Sequence, residues 1–127
     1  MKLIASAVVI PVMLAVTFSG QVHSADIVQN ICGYIDSDNK SRLRDQLKSN
    51  KLRLKKIYKG LSCNGDSLLR FAMNRDSQKV GVFMTKRLSA KILKTVEPDG
   101  KTVYQWAQDS GKAESLIGQA IKARAKL

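Results

Sequence analysis

The densest group of side chains able to do chemistry is basic and lies in the first half of the chain. Residues 40–59 carry nine Lys and Arg residues against one acidic residue, Asp45, a net charge of +8 in 20 positions. A cluster of one charge sign produces a local field that concentrates partners of the opposite sign. The basic residues of this segment are Lys40, Arg42, Arg44, Lys48, Lys51, Arg53, Lys55, Lys56 and Lys59.

The two cysteines of the chain, Cys32 and Cys63, predict a single disulfide bond. Both follow residues 1–24, which we interpret below as an export signal, and exported thiols pair in an oxidising space. Closing a loop of about 30 residues would stabilise a small domain by roughly 3 to 4 kcal/mol. Two alternatives stay open. A metal site would need more than two thiols, and a redox-active pair normally has the spacing Cys-x-x-Cys.

The inventory of catalytic residue types is poor. General acid or base catalysis usually needs a histidine or a tuned carboxylate, and the only histidine, His23, falls in the predicted export signal. No glycine-rich phosphate-binding motif occurs. We therefore expect a protein that is not an enzyme and that uses no metal or cofactor; a hydrolase with paired carboxylates is the alternative. Most acidic residues sit at turns or helix starts, where capping explains them: Asp36, Asp38, Asp66, Asp76, Asp99 and Asp109.

Residues 1–24 have the anatomy of a signal peptide. Lys2 supplies a positive start, an almost unbroken apolar stretch runs over residues 3–18, and small residues follow at Ser24 and Ala25, where we expect cleavage. The apolar stretch is shorter than the roughly 20 residues of a spanning helix, although an uncleaved anchor is the alternative. Residues 25–127 should then form a periplasmic or secreted domain without a transmembrane segment.

Export decides which anionic partner the basic segment would meet. Most nucleic acid lies out of reach of an exported protein, and Tyr58 alone is a poor platform for stacking bases. Anionic surfaces of the cell envelope, such as phosphorylated glycolipid or acidic phospholipid, or an acidic protein, are the expected partners. The competing interpretation is a solvated basic face that only keeps the protein soluble.

The apolar residues that must position these groups recur at helical spacing. With 44% hydrophobic residues the chain is too apolar for a disordered arm, and one core accounts for its length. Helical stripes occur in six segments, with N-caps expected within Ser37-Asp38-Asn39, at Asp66 or Ser67, within Asp76-Ser77 and at Thr102. Residues 51–61 are predicted to be a connector, and residues 92–96 a short extended piece. The sequence thus predicts a single all-α domain.

Two of these segments repeat each other. Residues 64–72 and 99–107 match at a shift of 35, which places Gly65 on Gly100 and Ala72 on Ala107. A looser upstream copy matches at a shift of 37 and places Ile31 on Leu68. The repeat predicts about three stacked helical hairpins, each covering the apolar face of its neighbour. The alternative is an ordinary helical domain whose short hairpins look repetitive.

The sequences Ser67-Leu68-Leu69-Arg70-Phe71-Ala72 and Thr102-Val103-Tyr104-Gln105-Trp106-Ala107 resemble the first helix of the ankyrin repeat, which has the pattern Thr-Pro-Leu-His-x-Ala. Both keep the hydroxyl and the small Ala but lack the Pro and the His. The resemblance implies a protein-interaction module that binds a partner through its concave face and its loop tips, here near Asn64-Gly65 and Asp99-Gly100.

The Cys63-Asn64-Gly65 element, with the basic segment before it, also resembles a group of small exported proteobacterial proteins classed as a domain of unknown function. That resemblance implies no chemistry. We therefore expect an exported, non-catalytic binding module that binds a protein, or alternatively an anionic envelope surface through residues 40–59.

Overall fold

The computed structural model describes residues 24–127, which form helices and no strand, so the all-α prediction is confirmed. The predicted signal peptide lies outside the described residues except for Ser24. Within them, no helix has the length and apolar character needed to cross a bilayer. The helices are α1 (Ser24–Asp36), α2 (Lys40–Ser49), α3 (Leu54–Ile57), α4 (Leu68–Asn74), α5 (Gln78–Arg87), α6 (Ala90–Leu93), α7 (Val103–Asp109) and α8 (Leu116–Ala125).

Six of these helices form three hairpins that lie side by side: α1 with α2, α4 with α5, and α7 with α8. In the row of first helices, α4 packs against both α1 and α7. In the row of second helices, α5 packs against both α2 and α8. The middle hairpin therefore packs against both outer hairpins. The short helices α3 and α6 lie in the connections between hairpins.

Polar side chains fix where the helices begin. The Asn39 side chain accepts a hydrogen bond from the Arg42 amide at 3.1 Å and starts α2. Thr102 and Gln105 form a reciprocal capping box that starts α7, with N···O distances of 3.1 and 2.9 Å. Such caps satisfy backbone donors that have no partner inside the helix. Ser67 occupies the N-cap position of α4, as expected, but makes no capping hydrogen bond with its side chain.

Two connections differ from the sequence-based expectation. Residues 92–96 are predicted to be extended, but Ile92 and Leu93 form the end of α6, which Ser89 caps by accepting a 3.2 Å hydrogen bond from the Ile92 amide. The predicted connector at residues 51–61 contains α3 and a turn of 3-10 helix at Tyr58–Gly60. A four-residue helix shows barely one turn of periodicity, so the apolar pattern of such a segment does not distinguish it from an extended one.

The core is built mainly from the apolar stripes of the six hairpin helices, with Leu88 and Leu93 added from the segment that follows α5. Fully burying one Leu or Ile contributes about 1.5 to 3 kcal/mol relative to leaving it exposed. The fully buried apolar side chains include Ile31, Ile35, Leu43, Leu68, Leu69, Val80, Met84, Leu88, Leu93, Ile117 and Ile121.

The predicted disulfide joins Cys32 on α1 to Cys63 in the loop before α4, with 5.7 Å between the two Cα atoms. The loop is tight, because the Cys63 amide donates to the Asp66 carbonyl at 2.8 Å and the Asp66 amide donates back at 2.9 Å. Gly65 has a φ of 82°, a left-handed conformation that glycine adopts without strain. The bond thus fixes the loop before α4 to α1.

Gly81 lets α8 pack directly on α5. A β-carbon added at Gly81 would overlap Cγ1 and Cδ1 of Ile117, which is fully buried. We expect Gly81→Ala to lower the free energy of unfolding by about 1 to 3 kcal/mol, the usual cost of overpacking a core. Urea denaturation followed by circular dichroism measures this change.

The matched control is Gly33→Ala, the same substitution in α1, where an added β-carbon meets no atom within 4 Å. It should raise stability by about 0.5 to 1 kcal/mol, because glycine inside a helix is less stable than alanine by that amount. If the two variants were equally stable, close packing of α5 on α8 would not be a constraint on the fold.

Candidate functional site

All nine basic residues predicted to bind anions have exposed side chains. The apolar residues that alternate with them, Leu43, Leu47, Leu54 and Tyr58, are buried. The segment therefore packs on the core through its apolar side chains and presents its charges to solvent. It does so in three pieces, namely α2, α3 and the 3-10 turn at Tyr58–Gly60.

Four of the nine predicted residues meet at an open groove of about 590 Å³ between α2, α3, α5 and α8. We call it the basic groove. Lys40, Arg42, Lys51, Lys56 and Lys59 do not line it. Its lining residues are Arg44, Leu47, Lys48, Leu52, Arg53, Leu54, Lys55, Phe83, Arg87, Ser89 and Arg124.

Two of the groove's basic residues, Arg87 and Arg124, come from distant parts of the chain, and sequence reasoning missed them. Arg87 ends α5, and Arg124 lies in the last turn of α8. The second helix of each hairpin carries a basic residue in its last turn, with Lys48 in α2 as the third case. This recurrence is the sequence signal that could have indicated Arg87 and Arg124, because neighbouring repeats place equivalent helix ends side by side.

Contacts with the protein orient both of these arginines. The Arg87 guanidinium lies over the Phe83 ring, 4.7 Å from its centroid. Arg124 Nε donates to the Leu88 carbonyl at 2.8 Å, and this bond leaves its two terminal amino groups for other partners. Basic residues near helix C-termini also interact favourably with the helix dipole, which accounts for part of their placement.

No acidic residue in the lining of the basic groove balances its positive charge. Six of the eleven lining residues are basic and none is acidic. Leu47, Leu52, Leu54 and Phe83 supply apolar surface between the charges. The arrangement offers several donors to an anion and an apolar surface beside it. An electrostatic site of this kind needs no catalytic group.

A second cavity of about 570 Å³ lies between the loop before α4 and the loop before α7. We call it the tip cleft, because the two loop tips that the sequence singled out, near Gly65 and Asp99, line it. Its lining residues are Tyr58, Lys59, Leu61, Ser62, Gly65, Asp66, Ser67, Arg70, Ile92, Thr95, Val96, Glu97, Pro98 and Asp99.

Arg70 is the buried centre of the tip cleft, with only 8% of its surface exposed. Two of its nitrogens bond the two carboxylate oxygens of Asp99 at 2.8 and 3.0 Å. Its Nε lies 2.8 Å from Glu97 Oε1, an ion pair in which the N–H does not point at the oxygen. The guanidinium also lies 5.3 Å from the Trp106 ring centroid. Arg70 thus fixes the loop before α7 to α4.

These contacts move the pKa values of the cleft carboxylates in opposite directions. The hydrogen bonds from Arg70 lower the pKa of Asp99 from 3.8 to about 2. Burial raises the pKa of Glu97, since the loss of solvent outweighs the attraction of Arg70. Burial also raises the pKa of the Tyr58 phenol. The Tyr58 and Ser67 hydroxyls are buried and lie near each other, but neither makes a hydrogen bond of good geometry among the described residues.

Within residues 24–127, no three His, Cys, Asp or Glu side chains lie close enough together to hold a metal ion. Cys32 and Cys63 are committed to the disulfide.

The comparisons with known proteins give a family and no chemistry. The model of a family described as "Protein of unknown function (DUF3718)" matches residues 31–95, just over half of the chain. This range contains both cysteines and the whole basic segment. No curated protein and no solved structure matches the chain. The predicted likeness to a domain of unknown function is confirmed, and the likeness to the ankyrin repeat stays a prediction.

The Arg70–Asp99 pair should make the fold sensitive to acid in a defined range. Because the pKa of Asp99 is about 2 in the folded protein and 3.8 for the free side chain, its contribution to stability is full above pH 3.8 and is lost as the pH falls through 2. In Asp99→Asn this titration is absent. We expect its free energy of unfolding to fall less steeply between pH 4.5 and 2 than that of the unaltered protein.

Urea unfolding at a series of pH values in that range measures both slopes. Glu97, whose raised pKa acts in the opposite sense, titrates in both proteins, and the main cause of its shift is burial, which the substitution at Asp99 leaves in place. Equal slopes would show that the Arg70–Asp99 pair does not stabilise the folded protein.

Proposed function

The chain belongs to the DUF3718 family of proteins of unknown function, and we propose that it is a non-catalytic binding module whose basic groove holds anionic groups of the cell envelope. The observation that carries this proposal is that basic residues from separate parts of the chain meet at one groove. Six basic residues from separate segments of the chain surround one groove without an acidic residue in its lining. A basic face that serves only solubility has no need to bring charges together, since their mutual repulsion costs free energy.

The groove chemistry favours phosphate-bearing amphiphiles. Four of the six basic residues are arginines, Arg44, Arg53, Arg87 and Arg124, whose planar guanidinium groups can bind phosphate through two hydrogen bonds at once. The apolar surface between them suits a ligand whose charged head adjoins a hydrocarbon part. Acidic phospholipid and phosphorylated glycolipid both have this chemistry.

The disulfide supports the compartment in which such ligands occur. Disulfides form and persist mainly in oxidising spaces, such as the periplasm and the extracellular medium. The bonded pair Cys32–Cys63 and the predicted export signal are consistent with this. We therefore propose a periplasmic or secreted protein that meets anionic envelope surfaces, with no cofactor and no catalysed reaction.

Charge reversal in the groove tests the proposal. Replacing Arg44, Arg53 and Lys55 by Glu should weaken binding to phosphatidylglycerol vesicles at least about tenfold, since each basic residue near such a surface contributes about 1 kcal/mol. Co-sedimentation measures binding, with phosphatidylcholine vesicles as the neutral reference. Binding of the unaltered protein should also weaken steeply as salt rises, because salt screens exposed charges.

The matched control reverses three basic residues of the same segment that do not line the groove: Lys40, Arg42 and Lys56. It changes the net charge by the same amount and should weaken binding much less. If both triple variants lost binding equally, a diffuse basic face would explain the binding. If neither lost binding, the basic residues would only keep the protein soluble.

A second candidate function, protein interaction at the loop tips before α4 and α7, is favoured by the tip cleft. It lies where the ankyrin resemblance implies partner binding, and Val96 on its rim is 59% exposed. Capture of a single partner from an envelope extract should survive moderate salt and be lost in Val96→Asp. Capture that is unchanged in this variant would contradict binding at the cleft.

A further inference from the structure

The tip cleft has an excess of negative charge in a protein that is strongly positive overall. Three carboxylates line it, Asp66, Glu97 and Asp99, against the buried Arg70 and the exposed Lys59. Its net charge is −1, whereas that of the whole chain is +12. The cleft is thus opposite in sign to the basic groove.

The carboxylates are not fully occupied by the protein. Asp99 uses both of its oxygens on Arg70. Glu97 contacts Arg70 through Oε1, and Asp66 accepts one hydrogen bond from Asn74 through Oδ2, at 3.1 Å. Within the described residues, no side-chain hydrogen bond of good geometry reaches Glu97 Oε2 or Asp66 Oδ1, although the nearby Ser67 hydroxyl lowers the pKa of Glu97 in part. The cleft therefore keeps two carboxylate acceptors for a donor from outside.

Because Glu97 is largely buried, leaving its free carboxylate oxygen without a hydrogen-bond partner costs free energy. The Glu97 side chain is only 17% exposed, and burial raises its pKa in spite of the neighbouring Arg70. The Tyr58 side chain in the same lining is buried, and its hydroxyl also makes no hydrogen bond of good geometry among the described residues. Buried polar groups without partners cost free energy, which a bound donor would recover. A cation would recover more than a neutral donor, because it also offsets the repulsion between the carboxylates.

The walls of the cleft are apolar. Leu61, Ile92, Val96 and Pro98 line it beside the polar groups, and Val96 is largely exposed. A long aliphatic stem can lie along such a surface while its charged end reaches polar groups, as lysine side chains do in proteins. The compact ammonium group supplies three donors.

We propose that the tip cleft binds a primary ammonium group on an aliphatic stem, with Glu97 as the principal acceptor and Leu61, Ile92 and Val96 as the contacts of the stem. The inference deepens the second proposed function, since a lysine side chain of a partner protein carries this group. A free diamine carries the same group and is the other source. The site is independent of the basic groove.

Nuclear magnetic resonance titration of the 15N-labelled protein tests the proposal. The probes are Nα-acetyl-lysine methylamide, its Nε-acetylated form, which lacks the charge, and 1,5-diaminopentane. We expect the charged probes to shift the backbone amides of Gly65, Val96 and Glu97 saturably, and the Nε-acetylated probe to leave them unchanged. Tighter binding of the lysine probe than of the diamine would indicate a protein partner, and the reverse a free diamine.

Three variants identify the residue responsible for binding. Glu97→Gln should weaken binding of the charged probes at least about tenfold, because a charge-assisted hydrogen bond is lost. Glu114→Gln, which removes an exposed carboxylate outside the cleft, should leave binding unchanged. The amide spectrum of each variant shows directly whether it has folded, and Tyr58→Phe offers a second cleft variant, expected to weaken binding less.

Equal shifts with the charged and the acetylated probe, or full affinity in a folded Glu97→Gln protein, would overturn the proposal. These outcomes are separate from the protein-interaction function. A partner captured at the cleft without any ammonium binding would leave that function standing and refute the ligand class. Ammonium binding without partner capture would support the ligand class and contradict protein interaction at the cleft.

Discussion

The structure depends on one constraint, which is that no hairpin of this chain can bury its own apolar faces. α4 and α5 are covered only because α1 and α2 lie on one side of them and α7 and α8 on the other. Gly81 on α5 gives Ile117 the space to reach the core. Because antiparallel hairpins joined by short turns align when they stack, the C-terminal ends of the three second helices come together. The basic groove is a consequence of that alignment.

Both candidate sites lie at the same end of the stack of hairpins. Antiparallel packing places the C-termini of the second helices next to the loops that precede the first helices. The segment at residues 54–60 separates the two sites, since Leu54 and Lys55 line the basic groove and Tyr58 and Lys59 line the tip cleft. The disulfide and Arg70 hold the loops of the cleft. A positive and a negative site thus share the segment at residues 54–60.

The sequence is sufficient for the hairpin helices and the disulfide, because apolar periodicity, the caps at Asn39 and Thr102 and the count of two cysteines are local signals. It does not reveal α6, since four residues carry too little periodicity. Nor does it show which basic residues share a groove, because Arg87 and Arg124 join Arg53 only through packing between hairpins. Arg70 lies within an apolar helical stripe, and its partners Glu97 and Asp99 are about 30 positions away.

The central claim is that separate segments build one anion site, and arginine side-chain resonances report on it directly. In a titration with dihexanoyl phosphatidylglycerol below its micelle concentration, the Nε signals of Arg44, Arg53, Arg87 and Arg124 should shift together with one dissociation constant, while Arg42 stays unchanged. Shifts spread along the basic segment with unrelated constants, including Arg42 but not Arg87 or Arg124, would contradict the claim.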